Sequence, residues 1–323
     1  MLDRYGRKID YLRISVTPYC NLRCIYCAPE IPAQAGPAAV TDCRSFLSAA
    51  EIGAVTAVMA EQGINKVRIT GGEPLVRPDL PEIIANVAGM QGIADLAMTT
   101  NGIGLAEKAG QLKGAGLMRV NISIDSLDND KFAYITGGGN LARVLQGIKA
   151  AVKVGLVPVK LNVVVMKGIN DDEIDRFIEL TREEPVDVRF IELMPIGKFG
   201  EDNASRLISS DEIIAARPRL AEEPGATVAT AQYYALPGYR GRVGFISPMS
   251  HQFCGRCNRI RLTADGKIKA CLGDNREFDI AAVLRNEPEK LAWSVKKAIA
   301  RKSAGHHFSA GFVSKRNMTA IGG

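Results

Sequence analysis

The first two thirds of the chain alternate short, β-branched apolar segments with longer segments of helical spacing. The predicted strands span 11–17, 66–70, 95–101, 119–125, 157–166 and 187–193, and the predicted helices span 48–62, 79–90, 104–114, 140–154 and 171–182. Ser48 followed by Glu51 predicts a capping box at the first helix. Six strand–helix units in this order imply a parallel sheet with right-handed crossovers, which an open doubly wound sheet or a barrel could provide.

Polar residues recur at every second position of these strands, so each strand has one polar face. Helices cover the outer face of such a sheet, and the polar face is therefore expected to point inward. Unpaired buried cations are very costly, so this lumen needs water or a ligand. We predict an incompletely closed barrel around an anionic molecule, with exposed strand ends as the alternative explanation. The alternating residues are Arg13, Ser15, Thr17, Arg68, Thr70, Thr99, Asn101, Asn121, Ser123, Asp125, Lys160 and Asn162.

The alternation of strand and helix patterns ends after about residue 205, and we predict two regions, 1–205 and 206–323. Short strands are predicted at 232–236 and 240–246. A hairpin is predicted from 259–263 and 267–271, because Asp265-Gly266 between them is a turn dipeptide. A helix is expected near 288–302, and the chain ends in Gly322-Gly323.

Composition narrows the class of protein only slightly. The 323 residues carry a net charge of +6, and 46% are hydrophobic, which is ordinary for a globular protein that prefers anionic ligands. No apolar leader or membrane-length apolar run is visible, and no basic stripe with interleaved aromatics predicts nucleic-acid binding. We therefore expect a cytoplasmic protein without membrane or nucleic-acid partners, in which clustered cysteines indicate metal or redox chemistry.

Three cysteines follow the first predicted strand: Cys20, Cys24 and Cys27, spaced C-x3-C-x2-C. Thiolates are the usual ligands of iron–sulfur clusters, and three of them on a four-iron cluster leave one iron without a protein ligand. A zinc site with a distant fourth ligand, or free thiols, would also explain this spacing.

A second set, Cys254, Cys257 and Cys271, is spaced C-x2-C-x13-C. His251 lies three residues before Cys254 and could complete a Cys3His zinc site. The alternative is a second iron–sulfur cluster with an open iron, beside the two arginines Arg259 and Arg261.

Both sets sit in sequences typical of one family. The loop "CNLRCIYC", with Tyr26 before its last cysteine, and "GGEP" at 71–74 resemble the cluster-binding and S-adenosylmethionine (SAM) motifs of radical SAM enzymes. Together with "CGRCNRIRLTADGKIKACL" and the terminal "RNMTAIGG", they make the chain similar, nearly end to end, to the GTP 3′,8-cyclases of molybdenum-cofactor synthesis. Ala28, where Met is common, is a small departure. Cys43 lies outside both motifs and is interpreted as a buried apolar residue.

The resemblance implies a fold, cofactors and site residues. The fold would be an α/β incomplete (β/α)6 TIM-like barrel, with a smaller C-terminal α+β region carrying the second cluster. Two [4Fe–4S] clusters would be held by the two cysteine sets, the first chelating SAM and the second binding the guanine of GTP. SAM contacts would come from Tyr26, Gly72, Ser123 and Met194. GTP contacts would come from Arg13, Arg68, Thr99, Lys160, Arg259, Ile260 and Arg261, and the catalytic residues would be Arg13, Arg259, Arg261, Gly322 and Gly323, whose glycine tail reaches the active site.

The implied enzyme is a lyase: a 5′-deoxyadenosyl radical abstracts the ribose H3′ of GTP, and the C3′ radical attacks C8. Expected partners are a flavodoxin- or ferredoxin-like electron donor and a downstream cyclic pyranopterin monophosphate synthase, with the chain a monomer or homodimer. Two alternatives remain open at this point, another two-cluster radical SAM maturase and a zinc- and nucleic-acid-binding module.

Overall fold

The computed structural model describes residues 1–27, 46–223, 230–308 and 312–322; Ala28, Cys43 and Gly323 lie outside these ranges. Six strands of the first two thirds confirm the predicted order within one or two residues at most ends. The strands are β1 Tyr11–Ser15, β2 Lys66–Thr70, β3 Asp95–Thr100, β4 Arg119–Ser123, β5 Val159–Val165, β6 Val186–Glu192, β7 Ala221–Glu222, β8 Gln232–Ala235, β9 Val243–Ile246, β10 Arg259–Leu262, β11 Lys267–Lys269 and β12 Phe278–Asp279.

The helices between the strands also follow the predictions. Ser48 and Glu51 form the predicted capping box, in which each backbone N–H donates to the other residue's side chain. Five helices of at most eight residues were not predicted, because so few turns give no clear apolar stripe: Asn129–Thr136, Gly197–Asp202, Ser210–Ala215, Ile280–Asn286 and Met318–Ile321. The described helices are α1 Ala49–Glu61, α2 Leu80–Ala88, α3 Leu105–Gly114, α4 Asn129–Thr136, α5 Leu141–Lys153, α6 Ile174–Glu183, α7 Gly197–Asp202, α8 Ser210–Ala215, α9 Ile280–Asn286, α10 Leu291–Ala300 and α11 Met318–Ile321.

All described strands join one sheet of twelve, in the order β12-β11-β10-β1-β2-β3-β4-β5-β6-β9-β8-β7. Strands β1 to β6 are parallel neighbours in chain order, as βα units require. The later part of the chain extends both edges, since β10 pairs parallel with β1 and β9 pairs parallel with β6. The two outer strands do not pair with each other in the described residues, which confirms an incomplete barrel.

Alternation along each strand separates the core from the lumen. Leu12 and Ile14 of β1, like Val67 and Ile69 of β2, are at most 1% exposed and pack beneath the helices. Burying each such side chain contributes about 1.5–3 kcal/mol to folding. The residues between them, including Arg13 and Arg68, point to the inner face. No helix in the described ranges has the length and apolar character needed to cross a bilayer.

Candidate active site

The inner face of the sheet encloses a cavity of about 440 Å³. All six motif cysteines line it, together with ten other residues that the sequence analysis assigned to SAM or GTP. Ile260 differs: its side chain is 1% exposed in the hydrophobic core, so only its backbone could contact a ligand. The ten residues are Arg13, Tyr26, Arg68, Gly72, Thr99, Ser123, Lys160, Met194, Arg259 and Arg261.

The two cysteine sets lie at opposite ends of this cavity. Cys20 follows β1, so the first set is at the carboxyl ends of the parallel strands. Cys257 precedes β10, whose first residue is level with Tyr11 at the start of β1. Cys271 follows β11, which runs antiparallel to β10 and returns to the same end. The second set is therefore at the amino ends, and the lumen joins the two.

The glycines of "GGEP" support the first cysteine loop by close backbone packing. The Gly72 N–H donates to the carbonyl of Thr17 at 2.7 Å, and the Glu73 N–H donates to that of Tyr19 at 2.7 Å. A Cβ on Gly72 would lie 2.1 Å from the Tyr19 oxygen. The Gly72 amide is therefore bonded to the chain just before Cys20 and does not donate to a ligand. Glycine is required there because the two backbones approach closely.

The buried carboxylate of Glu73 stabilises the same loop through hydrogen bonds. Its carboxylate is 2% exposed and accepts hydrogen bonds from the Thr100 hydroxyl, at 2.7 Å, and from the N–H groups of Leu75 and Asn101. Burial raises its pKa. Glu73 thus ties the loop after β2 to the loop after β3, directly beneath Cys20, whose sulfur contacts Asn101.

The first three thiols are half-buried and close enough for their charges to act on one another. Burial raises the pKa of Cys20 to about 11 and that of Cys27 to about 12, with Glu73 adding to the first shift and Cys20 to the second. Burial also raises the pKa of Cys24, and the charges of Asp125 and the other two cysteines raise it further. Three thiolates would therefore need a cationic group between them.

Tyr26 and Asp125 join the first loop to the end of β4. The Tyr26 hydroxyl donates to Asp125 Oδ2 at 2.7 Å, and the Val164 N–H donates to Oδ1 at 2.8 Å. Burial raises the Asp125 pKa to about 6 despite these two donors. On its other side the loop is bonded to the end of α4, through the N–H groups of Arg23 and Ile25.

The middle of the lumen carries the buried guanidinium groups of Arg68 and Arg189, and the partner of Arg189 is an amide. Arg189 donates to Asn162 Oδ1 through Nε and Nη2, at 3.0 and 2.6 Å. Burial lowers the pKa of Arg68 to about 10, and also that of Arg189. Burial and the neighbouring Arg259 lower that of Arg261 to about 10. Buried cations that repel one another bind an anion favourably, because it supplies the missing countercharge.

The second cysteine set has a different electrostatic setting. Burial alone would raise the Cys257 pKa, but Arg259 and Lys302 lower it to about 7. Arg7 fastens the loop from the outside, since its guanidinium donates to the Cys254 carbonyl at 2.8 Å and to the carbonyls of Ser303 and Ala304.

The Cys3His zinc arrangement that the spacing allowed is not formed. His251 Nε2 lies 2.8 Å from Asp211 Oδ2 at the surface. Within the described residues, no three His, Cys, Asp or Glu side chains converge on a point that could hold one metal ion. A cubane does not need such convergence, because each thiolate binds a different iron.

The C-terminal tail enters the cavity. The Gly322 carbonyl accepts a hydrogen bond of 2.5 Å from Arg261 Nη1, and Met318 lines the lumen. The Thr319 backbone amide reaches the Cys27 sulfur. The tail therefore contacts both the first cysteine loop and the arginine hairpin, as expected of Gly322; Gly323 lies outside the described residues.

Comparison with known proteins shows the family of this chain. The Radical SAM superfamily model matches residues 14–181, and the Molybdenum Cofactor Synthesis C model matches residues 186–308. The chain is 49% identical over 325 residues to a GTP 3′,8-cyclase of Alkaliphilus oremlandii and 46% identical to that of Alkaliphilus metalliredigens, covering 100% of each chain. It belongs to the GTP 3′,8-cyclase family.

A solved structure supports the fold independently of close sequence similarity. Streptococcus suis SuiB bound to S-adenosylmethionine is 15% identical, with a TM-score of 0.57 over 90% of this chain and 68% of that chain. At that identity the likeness shows only the radical SAM fold.

The donor sets fit the clusters expected of a GTP 3′,8-cyclase family member. Each set offers three soft thiolate ligands and no fourth, and none of the six cysteines is in a disulfide. The first loop holds its three thiols half-buried and near one another, where cluster iron would compensate the charge of the thiolates. The second set is flanked by cations that favour thiolates.

Several cavity residues were not assigned a role from the sequence. Arg189 and Arg119 continue the period-2 pattern that identified Arg68, so the same alternation could have found them. Glu73 was quoted only as part of a motif. The pairing of Tyr26 with Asp125 could not be predicted, since it joins residues 99 positions apart. Besides the residues predicted to contact SAM or GTP, the cavity wall includes Tyr11, Lys66, Arg119, Asp125 and Arg189.

Proposed function

We propose that this chain cyclises GTP to (8S)-3′,8-cyclo-7,8-dihydroguanosine 5′-triphosphate, the first step of molybdenum-cofactor synthesis. The observation that carries the proposal is a single cationic cavity with a three-cysteine set at each end. Neither a zinc module nor a peptide-modifying maturase explains buried arginines between two such sets. The family names of the relatives point to the same reaction.

The first loop would hold the radical source. Cys20, Cys24 and Cys27 would ligate a [4Fe–4S] cluster that, with SAM bound, supplies a 5′-deoxyadenosyl radical. Gly72 and Tyr26 would shape the SAM side of the pocket, Gly72 by allowing the close approach of two loops. Ser123 and Met194 follow on β4 and after β6, where their side chains line the same end.

The lumen would hold the triphosphate. Arg13, Arg68, Lys160, Arg259 and Arg261 face the cavity, and guanidinium groups bind phosphate oxygens in pairs. Lys160 already donates to the Tyr233 hydroxyl at 3.0 Å, which sets the direction of its ammonium. Thr99 Oγ1 is buried without a partner in the described structure, so its hydroxyl is available to donate a hydrogen bond to the substrate.

The second set would anchor the other end of the substrate. A cluster on Cys254, Cys257 and Cys271 would bind the guanine, and the lumen would hold the phosphates, so the ribose is fixed at two points. Such fixation places C3′ near C8 and near the radical source, which is a positioning task. In that position the H3′ atom would pass to the deoxyadenosyl carbon, C3′ would bond to C8, and one electron and one proton would complete the product.

The tail would close the site between the two ends. Gly322 lies against Ser15 and Thr70, and Arg261 holds its carbonyl. A flavodoxin- or ferredoxin-like protein would supply electrons, and a cyclic pyranopterin monophosphate synthase would take the product.

Two measurements test the proposal. Anaerobically purified protein should contain about eight irons per chain, since two four-iron clusters are expected. Incubation with SAM, GTP and a strong reductant should then yield 5′-deoxyadenosine only when GTP is present. One zinc per chain, or 5′-deoxyadenosine production unaffected by GTP, would contradict it.

A further inference from the structure

Lys302 is a buried lysine just beyond α10, 2% exposed. Its ammonium donates to the Arg259 carbonyl at 2.8 Å and to the Ala270 carbonyl. Arg259 begins β10 and Ala270 directly precedes Cys271. Lys302 therefore joins the two arms of the hairpin at the end where the second cysteine set lies.

This ammonium has no carboxylate partner. In the described part of the chain, no Asp or Glu oxygen lies within 4.0 Å of it. A buried charge of this kind costs several kcal/mol unless an anion compensates it. As cluster ligands, the sulfurs of Cys257 and Cys271 would be anionic, and the ammonium charge acts on both of them from between the two arms of the hairpin.

The first cysteine set has the opposite surroundings. Buried Glu73 and Asp125 face it, at 2% exposure each, and their charges disfavour thiolates there. A positive charge beside a cluster raises its reduction potential, because adding an electron is easier near a cation. Negative charges beside a cluster lower its reduction potential, so the two clusters are shifted in opposite directions.

We propose that Lys302 is the internal counter-cation of the second cluster: it positions the ligand-bearing arms and raises the reduction potential of that cluster. The inference rests on the proposed function, because it takes Cys254, Cys257 and Cys271 as cluster ligands. Lys302 is a positioning residue that lies behind the hairpin and does not line the cavity.

The test is a redox titration of both clusters, followed by electron paramagnetic resonance, in the anaerobic wild type and in Lys302→Met. The variant should lower the equilibrium constant for reducing the second cluster at least tenfold, about 59 mV for one electron. The first cluster should not shift, and Lys302→Arg should titrate like the wild type. Lys296→Met removes an exposed charge from α10, the helix just before Lys302, and should change neither cluster. Unchanged potentials in Lys302→Met, or equal shifts of both clusters, would overturn the inference.

If Lys302→Met does not retain the second cluster, iron content decides the question. Lys302→Arg should keep about eight irons while Lys302→Gln, which can donate to the same carbonyls without charge, falls toward about four. Eight irons in Lys302→Gln with wild-type potentials would show that charge is not needed. A wild type with about four irons would contradict the proposed function, which distinguishes that failure from failure of this inference.

Discussion

Nη1 of Arg261 donates to the Gly322 carbonyl at 2.5 Å, which fixes the C-terminal tail against the hairpin of the second cysteine set. The Gly322 backbone has a φ of +81°, and a Cβ there would lie 2.9 Å from Thr70 Cγ2 and 3.1 Å from Ser15 Cβ. Position 322 of the tail, at the carboxyl ends of β1 and β2, therefore has no room for a side chain.

Gly322→Ala should displace the tail and lower turnover at least tenfold, while leaving iron content intact. The matched control is Gly238→Ala, which has the same φ of +81° but nothing within 4 Å of the new Cβ. Both carry a backbone cost of about 1–2 kcal/mol, but only the first collides with β1 and β2. Product formation and thermal unfolding should be measured for both. Equal turnover in the two variants would argue against a tail that works inside the site.

Gly72→Ala should destroy the first cysteine loop. The added Cβ would lie 2.1 Å from the Tyr19 carbonyl, so the backbone before Cys20 must move. Anaerobic preparations should keep about four irons, those of the second cluster. Gly110→Ala on the exposed side of α3 meets nothing within 4 Å and should keep both clusters, with stability raised by up to about 1 kcal/mol. Full iron content in Gly72→Ala would show that this packing is dispensable.

Arg189→Met should weaken GTP binding about tenfold or more, since a charge-assisted hydrogen bond contributes roughly 1.5–3 kcal/mol. Arg189 is 7% exposed and faces the lumen with Asn162 as its partner. Calorimetry on the iron-loaded protein without SAM would measure the loss. Arg240→Met removes a surface arginine that donates to the Glu183 carbonyl and should bind GTP normally. Similar affinities for both variants would place the triphosphate elsewhere.

The two cysteine sets should differ in reactivity once iron is removed. The pKa of Cys257 is about 7, whereas those of Cys20 and Cys27 are about 11 and 12. Thiolate is the reactive form, so alkylation of Cys257 should rise between pH 6 and 8 and then level off. Alkylation of Cys27 should still be rising at the highest pH at which the fold persists. Mass spectrometry after brief iodoacetamide treatment measures both, and equal labelling at neutral pH would contradict the charge difference between the sites.

Much of this arrangement follows from local patterns. Period-2 alternation placed Arg13, Arg68 and Lys160 on one face, and the inner face of the sheet confirms it. Cysteine spacing predicted two sets of three cysteines as candidate ligands, because the residues of each set are near in sequence, and both sets line the cavity. The capping box at Ser48 was equally local and was confirmed.

Contacts between residues that are far apart in the sequence could not be predicted from such local patterns. That the two cysteine sets occupy opposite ends depends on β10 pairing parallel with β1, across more than two hundred residues. The close approach of Gly72 to the Tyr19 carbonyl could not be predicted, because that carbonyl comes from another loop. The contact of His251 with Asp211 likewise depends on tertiary structure.

In the proposed reaction, the radical source and the ribose of GTP meet in the cavity between the two cysteine sets. The most direct measurement uses GTP carrying deuterium at C3′, incubated with SAM and a strong reductant, with mass analysis of the 5′-deoxyadenosine formed. Deuterium should appear in 5′-deoxyadenosine from the 3′-labelled substrate and be absent with 2′-labelled GTP. 5′-Deoxyadenosine that carries no deuterium from the 3′ position would contradict the account.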